Sequence, residues 1–79
     1  MAKIIVETTQ EEQEAVLDAL KEIGEVVTPV AKIADKAGLN ATRTRYVLMD
    51  LEEAGKIQRL PSKAFNKHYV RYYYKITTR

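Results

Sequence analysis

The stretch Leu39 to Arg59, LNATRTRYVLMDLEEAGKIQR, holds a helix start, an apolar stripe, a helix stop and a basic strand in one run. Asn40 suits an N-cap because its side-chain oxygen accepts from the unpaired N–H groups of a first helical turn, and Gly55 takes the left-handed backbone that ends a helix. Together they predict a helix from Ala41 to Ala54. Thr44, Val47, Leu48 and Leu51 recur at the spacing of one helical face, with Ala54 continuing the stripe and Ile57 resuming it after the turn, so this face is the expected core. Thr42, Arg43, Arg45, Tyr46 and Met49 lie off that stripe, and the acids Asp50, Glu52 and Glu53 come only later. Cations in the leading turns run against the helix dipole, which favours anions there, so intrinsic helix stability does not explain the two arginines. An anionic partner would.

Just upstream, Thr28-Pro29 reads as an N-cap followed by proline at the first helical position, where its missing N–H costs nothing. It predicts a helix from Pro29 to Ala37 that stops at Gly38 and buries Val30, Ile33, Ala34 and Ala37. Only Gly38, Leu39 and Asn40 separate the two helices, the short glycine-containing turn of a helix-turn-helix, with Leu39 plugging the angle between them. Downstream, the apolar period changes. Lys56 to Leu60 reads as a strand, Pro61 to His68 as a loop and Tyr69 to Thr77 as a second strand rich in strand-favouring residues. Strand alternation puts Val70, Tyr72, Tyr74 and Ile76 on the core side and Tyr69, Arg71, Tyr73 and Lys75 outside.

Further upstream, Thr9 and Glu12 match a capping box, so another helix is expected from Gln10 to Gly24. Val16, Leu17, Leu20 and Ile23 form its apolar stripe, while Glu11, Glu12, Glu14, Asp18, Lys21 and Glu22 are assigned to solvent. Glu25, Val26 and Val27 make a brief extended link. Lys3 to Glu7 (KIIVE) is long enough for a strand but not for a helix. Pairing with the hairpin, lying along the helices as an arm and forming an intermolecular contact are all compatible with it.

Seventy-nine residues make one small domain with little stability to spare. The absence of cysteine excludes disulfides and thiolate metal sites and fits a reducing compartment. No apolar run approaches the ~20 residues of a membrane span, and the start MAKIIVETT lacks the apolar stretch of a signal peptide, so a cytoplasmic protein is expected. The net charge of +2 is unevenly spread: residues 1 to 39 carry four Lys/Arg against eight Asp/Glu, and residues 40 to 79 carry nine against three. An acidic half joined to a basic half suggests one face for phosphates and another turned away from them, against the plainer reading of an uneven solvated surface.

The phrase VTPVAKIADKAGLNATRTRYVLMDLEEAGKIQR resembles the winged helix-turn-helix superfamily in its cap, small-residue helix, Gly-Leu turn, third helix and L-x-x-A-G-x-I exit. The fold expected is α+β: three helices over residues 10–55 and a C-terminal β-hairpin wing over 56–77, preceded by a short N-terminal strand or arm over 1–9. Within the superfamily, size and the bare single domain resemble the small FaeA/PapI-like regulators of fimbrial operons, and small regulators of viral or plasmid origin share the same plainness. The resemblance implies a transcriptional regulator that binds double-stranded DNA. Its third helix would enter the major groove with Ala41, Thr42, Arg45 and Tyr46 nearest the bases, Asn40 at its mouth, and the wing on adjacent backbone or minor groove. Arg45 is the first candidate for base readout, because a guanidinium donates twice to the O6 and N7 of guanine; Thr42 can touch a thymine methyl or a phosphate. Arg43 points more sideways, toward a phosphate. Thr28 and Lys32 are candidate phosphate ligands at the start of the second helix, and Lys63, Lys67, His68 and Arg71 are the wing's candidates.

Each assignment has a plainer competitor. Arg43 and Arg45 can pair with Asp50, Glu52 or the acids of the first helix; Tyr46 can lie flat on its own helix; Tyr69 and Tyr73 can stack on nucleotides or simply cover apolar surface. His68 is the single histidine, with no cysteine or second histidine to share a metal, so neither metal nor cofactor is expected. An enzyme is not expected either, since neither a Ser-His-Asp arrangement nor a glycine-rich phosphate loop is legible. The stronger rival is a winged-helix protein–protein interaction module docking through Ile4-Ile5-Val6 or the tyrosine-rich hairpin. GKIQR is also similar to left-handed-DNA binders, but Arg45 and Met49 replace their key asparagine and tyrosine. Few base contacts seldom give high specificity alone, which implies a homodimer or a partner protein.

Overall fold

A computed structural model describes residues 7–62 and 71–77. Helix α1 spans Gln10–Ile23, α2 Val30–Ala37 and α3 Ala41–Glu53; strands β1, Ile57–Pro61, and β2, Tyr72–Ile76, form an antiparallel hairpin. This is the expected α+β order of three helices and a wing. The KIIVE segment up to Val6, and the wing residues from Lys63 to Val70, lie outside the described residues.

The helix boundaries follow from their caps. Thr9 and Glu12 close the capping box of α1 reciprocally: Thr9 Oγ1 accepts from the Glu12 amide at 3.1 Å and Glu12 Oε1 from the Thr9 amide at 2.9 Å. Asn40 Oδ1 accepts from the Arg43 amide at 2.7 Å. At the far ends, α2 and α3 stop in the same way. Gly38 and Gly55 adopt φ of +74°, and the next residue donates back across the turn, Leu39 to Ala34 and Lys56 to Leu51, both at 2.9 Å. One cap differs from expectation. Thr28 does not cap α2: its hydroxyl donates to the Val26 carbonyl at 2.9 Å, and Pro29 occupies the cap position, so the helix begins at Val30. The hydroxyl is used by the preceding link, and proline, set in extended backbone, still leads the chain into the helix.

The core lies where the three helices meet. Val16, Ala19 and Leu20 from α1, Ile33 from α2, Val47, Leu48 and Leu51 from α3 and Ile57 from β1 are buried together, with Leu17, Ile23, Val30, Ala37 and Leu39 packed around them. Thr44 is fully buried among them and donates to the Asn40 carbonyl at 2.8 Å, which satisfies its hydroxyl. Ala54 leaves the stripe, because the chain is already turning at the α3 C-cap and the residue is exposed there.

The hairpin register pairs Ile57 with Ile76, Arg59 with Tyr74 and Pro61 with Tyr72 on one face, and Gln58 with Lys75 and Leu60 with Tyr73 on the other. The first face runs from core to solvent as the strands leave the helices. Ile57 is buried, Tyr74 and Ile76 are half-buried against the core, and Tyr72 is 44% exposed. Tyr72 therefore shares the predicted face but not the predicted burial, because the strands outrun the helices beneath them. Tyr73, expected outside, is half-buried: with Pro61, Ser62 and Arg71 it lines a groove closed on its other side by Glu25, Val26 and Val27.

Candidate nucleic-acid interface

Two residues along an α-helix is a turn of about 200°, so Arg43 and Arg45 leave α3 in nearly opposite directions. Arg43 faces α1. Its Nε donates to Glu12 Oε2 at 2.6 Å and its Nη2 to Glu12 Oε1 at 2.8 Å and to the Glu7 carbonyl at 2.6 Å. This forked geometry uses most of the guanidinium and matches the carboxylate plane. The hydrogen bond from Arg43, helped by the Thr9 amide, holds the Glu12 carboxyl down at about 2, from an ordinary value of 4.5. The same bond pushes the Arg43 pKa further up. Of the two readings of Arg43, phosphate ligand or partner of the first helix, the geometry is that of the second. Glu12, assigned to solvent, is instead half-buried in this pair.

A second link joins the same elements: Thr8 Oγ1 donates to Asp50 Oδ2 at 2.7 Å while accepting from Gln13 Nε2 at 3.0 Å. Helix α3 is therefore fastened to the start of α1 near both of its ends. That sets which face it turns outward.

Arg45 is on that outward face, exposed, and makes no hydrogen bond or ion pair among the described residues. Thr42 is exposed one turn before it, Ala41 is half-buried, and Tyr46 and Met49 are 38% and 55% exposed beside it. Asn40, though exposed, spends its side-chain oxygen on the Arg43 amide. The structure thus brings Thr42, Arg45 and Tyr46 together on one open helix face and separates Arg43 from them.

The remaining candidates lie elsewhere. Thr28 and Lys32 line a shallow recess of about 260 Å³ at the start of α2, beside Val27, Pro29 and Lys36. Lys36 approaches Glu22 at 3.9 Å, while Lys32 is exposed. Arg71 is exposed at the start of β2, where its carbonyl accepts from the Ser62 amide at 2.8 Å. Lys63, Lys67 and His68 lie outside the described residues. Among the described residues no group of His, Asp or Glu side chains is arranged to hold a metal ion, and no helix is long and apolar enough to cross a membrane.

One pair was not singled out from the sequence. Arg59 of β1 lines a groove of about 240 Å³ between α3 and the wing together with Arg45, Met49, Glu52 and Tyr74. Its guanidinium carbon sits 4.9 Å from the centre of the Tyr72 ring, within cation–π range, and its Nε is 3.9 Å from Glu52 Oε2. Strand alternation alone carries the signal: Arg59 falls on the same side as Ile57, toward α3.

Comparison with known families bears on this arrangement. The family model described as FaeA-like protein matches residues 12–69, which takes in α1 from Glu12 onward, α2, α3 and β1. The chain belongs to the FaeA-like family. FaeA-like proteins are small winged-helix regulators rather than enzymes. No curated protein and no solved structure matches the chain.

Proposed function

We propose that this FaeA-like protein is a DNA-binding transcriptional regulator of the cytoplasm, formed as a single domain, whose helix α3 enters the major groove of double-stranded DNA. The observation that carries the reading is the different use of two neighbouring arginines. Arg43 is bound to Glu12, whereas Arg45 stands exposed on the leading turns with no hydrogen bond or ion pair among the described residues, and with Thr42 and Tyr46 beside it. An unpaired guanidinium on a rigid helix is pre-organised to donate two bonds to a guanine edge. In this reading Thr42 and Ala41 approach a neighbouring base or phosphate, and Tyr46 and Asn40 flank the sugar-phosphate chain. Thr28, Lys32, Arg71, Lys63, Lys67 and His68 supply backbone contacts from the α2 start and the wing. Two copies, or one copy and a partner protein, would supply the specificity that one short helix lacks.

The test is a salt titration of binding to a random duplex and to a site obtained by selection. Arg45→Ala should lose about 1–3 kcal/mol on the selected site, far less on the random duplex, and its discrimination should fall at one base pair. Unchanged affinity and base preference would remove α3 from the bases. The protein–protein alternative would then gain weight; it draws support from Val26, 60% exposed at the rim of the groove beside the wing.

A further inference from the structure

The distal half of α3 carries acids that follow its basic leading turns. Glu52 and Glu53 are exposed about two turns beyond Arg45. Arg59 reaches back from the wing toward one of them. Its ion pair with Glu52 is long, at 3.9 Å, and both side chains are substantially open to water, so the pair holds the two charges near each other without strongly committing either. The Tyr72 ring lies under the guanidinium at 4.9 Å, which limits where it can swing while leaving its N–H edges available. Arg45 lines the same groove. Two guanidiniums from different elements therefore converge on one recess, one without a partner among the described residues and one held weakly by a carboxylate.

We propose that Arg59 is a backbone-phosphate ligand at the junction of α3 and the wing, positioned by Tyr72 and held by Glu52 until a phosphate replaces that carboxylate. The inference rests on the DNA-binding reading above and adds to it a residue, a subsite and a counter-ion that modulates it. A phosphate that takes Arg59 displaces its loose ion pair with Glu52, so Glu52 lowers affinity for every duplex without affecting base preference. Arg59 thereby joins the wing to the helix in one grip.

The experiment is a double-mutant cycle on the full chain, read as affinity and salt slope on a random-sequence duplex, with thermal melting of each variant as a check on folding. Arg59→Ala should weaken binding to all duplexes alike and lower the salt slope by about 0.9, the loss of one phosphate contact. Arg59→Lys, which keeps the charge, should restore most of the slope. Glu52→Gln should tighten binding about two- to fivefold, the equivalent of one exposed ion pair. That gain should vanish in the Arg59→Ala background, because Glu52 acts through Arg59. An Arg59→Ala protein with the parental affinity and slope overturns the proposal. So does a Glu52→Gln gain that persists without Arg59, since Glu52 would then merely repel DNA. If the parent binds no duplex at all, the DNA reading and this inference fall together; if Arg45→Ala behaves as stated and Arg59→Ala does not, only this inference falls.

Discussion

Glu12 serves two elements at once, capping the first turn of α1 and receiving Arg43 from α3. Its charged form is favoured in the folded chain, so the stabilisation is fully present above its ordinary value of 4.5 and is lost as pH falls toward about 2. Glu12→Gln keeps a cap acceptor but removes the charge. The melting temperature of the parent should accordingly fall more steeply between pH 4.5 and 2 than that of Glu12→Gln, and parallel profiles would show that the pair contributes no pH dependence. This pair was only half legible from the sequence. The sequence offers the acids of the first helix as partners for Arg43, but singling out Glu12 requires the way α1 and α3 cross. A pair 31 positions apart has no local signature. Arg59 and Tyr72 escaped for the same reason, since their meeting depends on hairpin register.

At the level of the elements, what was legible is what depends on near neighbours. Caps at Thr9 and Asn40, stops at Gly38 and Gly55 and the stripe of Thr44, Val47, Leu48 and Leu51 all act within a few residues, and each is found where local chemistry puts it. Thr28 failed because a hydroxyl has more than one acceptor within reach, and the Val26 carbonyl won. Tyr72 failed because alternation identifies a face but not how far that face stays covered. The α3 stripe itself makes a firm prediction. Leu51 is fully buried and Leu48 3% exposed, so truncating either to alanine should cost about 2–5 kcal/mol, a large share of what so small a domain possesses. Denaturant midpoints unchanged from the parent would place the core elsewhere.

Over the whole molecule, Arg43 is turned to one side of α3 and Arg45 and Arg59 to another. Helix α1 carries five of the eleven acids and grips Arg43 on the inner side of α3, while Arg45 and Arg59 share a groove between α3 and the wing. The joint between α3 and the wing has a consequence of its own. The Lys56 amide donates to Leu51 in the last turn of α3, and the Lys56 carbonyl accepts from the Thr77 amide at 3.0 Å after β2. Thr77 Oγ1 also donates to the Gly55 carbonyl at 2.6 Å. One peptide segment thus terminates the helix and closes the hairpin, so the two cannot fray independently. In native-state hydrogen exchange the Lys56 and Thr77 amides should open with the same free energy, and Gly55→Ala, strained at a φ of +74°, should lower both together. Two well-separated opening energies would reveal a wing that unzips alone. If they coincide, local opening releases the end of α3 and the base of the wing in a single event, and species that retain one without the other are not populated.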